Sequence, residues 1–408
     1  MSGSAAADRA ASDADNPYRR HWPLRPDITF LNHGSFGACP RPVLAAQARL
    51  RERLEGDPVD FLVREWPGLL SAARAALAEF VGADPADLVF VANATAGVNA
   101  VLRSLRLRPG DEILIIDHVY NACRNAARYV AERDGARVVE AAVPFPLREP
   151  EQVVEAVLAR VTSRTRLALL DHVTSPTAIV LPVERLVAEL AARGVDALVD
   201  GAHAPGMLPL NLRELGAAYY VGNCHKWLCA PKSAGFLVAR RDRQAGLHPP
   251  VVSHGYSQTA PDRSRYQLEF DWTGTHDPSP YLCVPEATRF LGSLLPGGWP
   301  ELMGRNRAQA LAARDRLAAA LGGEAPCPPE MLGSMAAWPA PQIAARFPGP
   351  GGDADPFQRL LWEKYGIEVP IIAWPDAGRR LVRVSAQIYN SPRDYDRLAE
   401  ALQAELGS

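Results

Sequence analysis

The stretch from Leu198 to Trp227 constrains this chain more than any other. Leu198-Val199-Asp200-Gly201-Ala202-His203 is an apolar run that stops at an acid and a glycine. Val221-Gly222-Asn223-Cys224-His225-Lys226-Trp227 is a second run, and it stops at a lysine. Near-continuous apolar runs of this kind are strands buried on both faces, as in a parallel sheet, and open α/β sheets hold their ligands at the carboxyl ends of the strands. Asp200 and Lys226 are therefore expected at one sheet edge. Alone, the acid reads as a turn cap and the lysine as a solvated cation. A lysine between His225 and Trp227, however, is poorly placed for water.

A carboxylate and an amine delivered together suit a cofactor with a basic ring nitrogen and an aldehyde, and pyridoxal 5'-phosphate (PLP) has both. A buried carboxylate favours the charged pyridinium that makes the ring an electron sink. Asp200 is the candidate. The aldehyde needs an amine with which to condense, which an incoming amino acid displaces and which can then move protons at Cα. Lys226 is the candidate.

Upstream, Leu88-Val89-Phe90-Val91-Ala92 reads as a strand that runs through Asn93-Ala94-Thr95-Ala96-Gly97 into a helix over 98–105. Free amides and a positive dipole end at such a helix start cradle a phosphate, with the Ala94 and Thr95 amides and the Thr95 hydroxyl as contacts. The plainer reading is a helix capped by Asn93 or Thr95. A strand over 112–116 then ends in Asp117-His118-Val119-Tyr120-Asn121. Helices over 121–134, 149–161 and 182–193 alternate with strands over 137–143 and 166–173, the rhythm of βαβ units around a parallel sheet.

Asp200-Gly201-Ala202-His203 followed by Asn223-Cys224-His225-Lys226-Trp227 resembles the signature of the class V aminotransferase superfamily, fold type I PLP enzymes. Leu31-Asn32-His33-Gly34-Ser35-Phe36-Gly37, His172-Val173-Thr174-Ser175-Pro176-Thr177-Ala178 and Arg383-Val384-Ser385-Ala386-Gln387-Ile388-Tyr389-Asn390 are similar to its isopenicillin N epimerase-like branch. The similarity spans roughly residues 26–405. It implies an α/β fold: a large domain with a mostly parallel seven-stranded sheet flanked by helices, plus a small α+β C-terminal domain. The expected divisions are a disordered tail over 1–16, an N-terminal arm and helices over 17–80, a PLP-binding domain over 81–290, and a linker helix with the small domain over 291–408.

The resemblance also implies residue roles. An aromatic residue after the 112–116 strand stacks on the ring in relatives; His118 aligns best, while Tyr120 in the same turn is a candidate proton donor instead. Ser175 stands where many relatives carry an asparagine touching the cofactor's O3'. Ala202 packs on the ring, His203 reaches O3', and Asn223 and His225 face the phosphate. Thr275 reaches the phosphate of a neighbouring subunit, which implies a homodimer. Arg383, on an alternating strand, takes the substrate's α-carboxylate, a task for which a guanidinium fork is suited. Asn32 and His33 border the substrate site.

Composition excludes other classes. With 408 residues the chain exceeds one hydrophobic core. A formal net charge of -2 gives no field that recruits nucleic acid or anionic lipid, leaving a small amino-acid substrate as the partner. Six cysteines without metal-ligand spacing argue against a disulfide framework or a metal site. No run approaches a membrane span or a signal peptide, so a cytoplasmic protein is expected. The expected reaction is epimerisation at Cα, with Lys226 on one face and Tyr120, His33 or His254 on the other. A PLP-dependent C–S lyase or an aminotransferase is the alternative, and a catalytically silent PLP-binding module a remote one. Cysteine desulfurase chemistry is disfavoured because residues 333–408 hold no cysteine to accept a persulfide.

Overall fold

The apolar runs become strands. In chain order these are β1 (Thr29–Phe30), β2 (Leu88–Val91), β3 (Glu112–Ile116), β4 (Arg137–Ala141), β5 (Thr165–Asp171), β6 (Asp196–Gly201), β7 (Tyr219–Asn223), β8 (Gly235–Ala239), β9 (Met335–Pro339), β10 (Ile367–Glu368), β11 (Ile371–Ala373) and β12 (Arg380–Ser385). The computed structural model describes residues 16–349 and 355–407. The tail expected over 1–16 thus lies, apart from Asn16, outside the described residues.

Seven strands form one sheet in the order β2-β8-β7-β6-β5-β3-β4. The pairs from β7 to β4 are parallel, and β8 alone runs against its neighbours β2 and β7. β3 and β7 are buried at every residue, while β4 at the edge is partly exposed over its first four residues. Asp171 lies opposite Asp200 in the β5–β6 register, and Asp200 opposite Val221 in the β6–β7 register.

Helices Ala94–Ser104, Asn121–Asp134, Glu151–Leu158 and Val183–Ala191 connect the strands, as the rhythm predicted. The first begins at Ala94 rather than 98, because Asn93 Oδ1 accepts the Ala96 N–H at 2.9 Å and caps the extra turn. The polar segment 248–280 contains an unpredicted helix, Arg265–Asp271, capped by Ser264. Two turns are too short for periodicity to show.

A smaller antiparallel sheet, β11-β12-β9, carries the C-terminal part. Helices Gly298–Leu321 and Pro392–Leu406 complete it, the first starting directly after Pro296-Gly297. The N-terminal segment returns to this part: β1 pairs parallel with β10, and Asn16 Nδ2 donates to the carbonyls of Ile388 and Asn390. The Trp22 indole N–H donates to the Ala38 carbonyl at 3.0 Å, and its ring meets Tyr389 edge-on. The aromatic arm thus lies on its own chain.

Gly201 shows why a glycine follows the strand-end acid. A Cβ there would stand 2.1 Å from the Tyr220 hydroxyl oxygen, which is itself 2.9 Å from His172 Nδ1. Gly201→Ala is expected to lower unfolding stability by about 1–3 kcal/mol through overpacking. Urea unfolding of the two proteins checks this, and equal midpoints would contradict it.

Candidate active site

Three strand ends, one helix start and two loops enclose a cavity of about 430 Å³. β5 contributes Asp171, β6 Asp200 and β7 Asn223; the N-terminal end of helix Ala94–Ser104 closes one side. Ala94, Thr95, Tyr120, Ser175, Asp200, Ala202, His203, Asn223, His225 and Lys226, all singled out from sequence, line this cavity together.

Lys226 follows β7 by three residues, so its side chain is delivered into the sheet edge rather than to solvent. Its Nζ lies 3.2 Å from His203 Nε2. Burial, helped by the Arg383 guanidinium, lowers the amine's pKa to about 8, while Asp200 partly counters this. Burial and the Lys226 charge hold His203 well below the usual imidazole range. A neutral His203 accepts the lysine's proton at Nε2, which leaves its Nδ1, buried and without a partner.

At the opposite end stand two acids. Asp200 Oδ1 accepts the Ala202 amide at 2.9 Å, and Oδ2 accepts the Cys123 thiol at 3.1 Å. Burial raises its pKa, but those two donors and Lys226 favour the ionised form. Asp171 is raised much further, by burial and then by Asp200 beside it, although its carboxyl accepts the Tyr120 amide. Two buried carboxylates in register cannot both ionise cheaply. Asp171 therefore holds the proton and Asp200 the charge. Nothing in the sequence reading singled out Asp171, though it ends an apolar run at an acid just as Asp200 does.

The phosphate cradle differs in detail from expectation. The Ala94 amide donates to Asn223 Oδ1 at 2.8 Å, which leaves Thr95, on the open first turn, as the helix residue facing the cavity. His225 Nδ1 is 3.1 Å from the Ala234 carbonyl, so Nε2 is the nitrogen left for a ligand. Burial, and then Lys226, lowers its pKa to about 4. Lys232, also on the cavity, was not foreseen.

Five predicted residues do not line the cavity. His118 is buried, 2.8 Å from Thr177 Oγ1 and against the Trp374 ring, and Tyr120 is the aromatic residue of that turn on the cavity. His33 is fully buried behind Lys226: Nε2 is 3.0 Å from the Lys226 carbonyl, and Nδ1 is 2.8 Å from the Tyr389 hydroxyl. Asn32 bonds Ser35 and Glu368. Arg383 stands directly behind two lining residues, donating to the Ser175 carbonyl at 2.6 Å and to Ser35 Oγ at 3.1 Å. Thr275 is exposed in the loop after helix Arg265–Asp271.

PLP fits what is present. Asp200 offers a buried carboxylate to a cationic ring nitrogen, Lys226 an amine of lowered pKa to an aldehyde, and the helix start its amides and dipole to a phosphate. No group of three or more metal-ligating side chains occurs among the described residues.

The sequence profile of the family described as "Aminotransferase class-V" matches residues 43–271. The chain belongs to that family of PLP-dependent enzymes. An isopenicillin N epimerase of Amycolatopsis lactamdurans is 39% identical over 93% of this chain and 96% of its own. A probable chloroplastic L-cysteine desulfhydrase of Arabidopsis thaliana is 32% identical over 96% of this chain and 85% of its own. Among solved structures, the cystine C–S lyase C-DES bound to its product cysteine persulfide matches with a TM-score of 0.76 at 22% identity, over 92% of this chain and 97% of that one. The Escherichia coli cysteine desulfurase CsdA matches with a TM-score of 0.75 at 22% identity, over 96% of this chain and 98% of that one. At such identities the likeness is one of fold, the fold type I architecture expected from sequence. Among the described residues no helix is long and apolar enough to cross a membrane.

A Lys226 pKa near 8 has a direct consequence in cofactor-free protein. Only the neutral amine is nucleophilic, so acylation of Lys226 should rise with pH to a midpoint near 8, against about 10.4 for an ordinary lysine. Competitive labelling read by peptide mass spectrometry checks it. A midpoint shared with the surface lysines would refute the assignment.

Proposed function

We propose that this enzyme epimerises an α-amino acid at Cα. The observation carrying the proposal is the half-buried amine of Lys226, set in one cavity with Asp200, backed by Arg383 and bordered by Tyr120. PLP, when bound, supplies an aldehyde and a cationic ring that draws electrons from Cα. Asp200 holds the proton on the ring nitrogen. Thr95 and the helix N-terminus hold the phosphate, with His225 beside them. Ser175 accepts from Arg383 at Oγ (3.1 Å), which leaves its hydroxyl hydrogen to donate to O3'.

Arg383 binds the substrate's carboxylate. It is a buried guanidinium whose pKa burial lowers to about 10, and the one group that raises it is Tyr120. A buried cation without an acid beside it is costly, and an anionic substrate removes that cost.

Epimerisation needs a proton taken from one side of Cα and another returned to the opposite side, with no net change in atoms. Lys226 Nζ is one group. Of the three candidates for the second, His33 is sealed behind the lysine and His254 does not line the cavity, whereas Tyr120 does. Thr275, exposed and off the cavity, is read as serving a second subunit, so the functional unit is proposed to be a homodimer in the cytoplasm.

The desulfhydrase relatives support a second reading, β-elimination: L-cysteine and water give pyruvate, ammonia and hydrogen sulfide. A persulfide route has no support, since all six cysteines are buried and none lines the cavity.

Incubating the PLP-loaded enzyme in deuterated buffer with isopenicillin N, L-cysteine or L-cystine separates the readings. Inversion with Cα deuteration is expected; pyruvate without inversion would sink the epimerase reading in favour of the lyase. Lys226→Ala should abolish both. Tyr120→Phe should slow inversion about 10²-fold while Cα deuteration with retention persists, because only one proton donor is lost.

A further inference from the structure

Behind the proposed carboxylate site runs a chain of hydrogen bonds that none of the roles above explains. Arg383 Nη2 donates to Ser35 Oγ at 3.1 Å. Ser35 Oγ in turn donates to Asn32 Oδ1 at 2.5 Å, and Asn32 Nδ2 donates to Glu368 Oε1 at 3.0 Å. Every donor points the same way, from a cation to a carboxylate. Bonds aligned in that sense polarise one another, and a charge at each end strengthens them.

The four residues come from three places, yet backbone pairing fixes them. β1 pairs with β10, placing Phe30 opposite Glu368. The Leu31 amide donates to the Glu368 carbonyl and the Ser385 amide to the Leu31 carbonyl, each at 2.9 Å. The Gly34 amide donates to Ser385 Oγ at 3.0 Å.

The other side of the guanidinium is held as well. Nη1 donates to the Ser175 carbonyl (2.6 Å) and to Ser175 Oγ (3.1 Å). What remains is Nε, buried and without a partner, and the second Nη2 hydrogen. A guanidinium with donors to spare can take a carboxylate oxygen through them.

We propose that Ser35, Asn32 and Glu368 are positioning residues that fix Arg383 directly behind the cavity wall, where it takes the substrate's α-carboxylate. This rests on the reading of Arg383 as the carboxylate site. Glu368 completes the chain from outside the cavity, as the acceptor that fixes Asn32 without competing for the guanidinium.

The test compares two ligands of the PLP-loaded enzyme, L-alanine and ethylamine, which differ by the carboxylate; binding is followed by the absorption of the bound cofactor. Asn32→Ala should weaken L-alanine binding about tenfold and leave ethylamine unchanged. Glu368→Gln, which keeps the acceptor and removes the charge at a partly exposed position, should give a smaller loss of about threefold with the same selectivity. It also serves if Asn32→Ala folds poorly. Equal losses for both ligands would make the chain merely structural, and no loss for either would make it idle; each overturns the proposal. Arg383→Met tests the underlying reading separately: if it keeps the wild-type preference for L-alanine over ethylamine, Arg383 is not the carboxylate site.

Discussion

The site depends on partly withdrawing one amine from water. Lys226 is half-buried at a sheet edge where the backbone cannot give way, since β7 is paired on both sides and buried at every residue. Desolvation disfavours its charged form, and Arg383 adds repulsion, so the amine is nearer neutrality than any surface lysine. Asp200 works in the opposite direction and stops the shift from going further. The reactivity of the lysine is a balance struck with two charged groups from two different strands, Asp200 on β6 and Arg383 on β12.

That balance requires register. Asp171 opposite Asp200 brings two acids together, and a slip of one strand by one residue would put their side chains on opposite faces of the sheet. Cys123 and the Ala202 amide bond Asp200, the Tyr120 amide bonds Asp171, and the proton they share is sorted by those donors. Arg383, by contrast, comes from the small sheet. On the proposed reading substrate recognition is divided between two sheets, and segment 31–37, bonded to both β10 and β12, joins them.

Much of this was legible in the sequence, for reasons that differ by residue. The parallel sheet could be read because each buried strand is an unbroken apolar run and each intervening helix begins and ends at recognisable punctuation. Asp200, Lys226 and Thr95 could be read because their chemistry makes sense only together. Asp171 carried the same strand-end pattern as Asp200, but its meaning lay in a register that one strand alone does not reveal. His118 and Tyr120 sit two residues apart in one turn, and which of them faces the cavity depends on local packing against Trp374 and Thr177. The bond from Asn32 to Glu368 spans 336 residues, beyond the reach of any local pattern.

Epimerisation and β-elimination both begin with the loss of the Cα proton, so Lys226 and Asp200 serve either equally. They part over where the second proton goes. A donor that reaches Cα from the side opposite Lys226 returns the inverted amino acid; a donor that reaches the departing sulfur instead drives elimination. Tyr120 is about half exposed, while the Asp171 carboxyl holds its backbone amide. Its main chain is thus fixed where its ring is not sealed in. On the proposed reading the length of the substrate's side chain decides which atom stands before the phenol, and the same lysine, acid and arginine can serve either reaction.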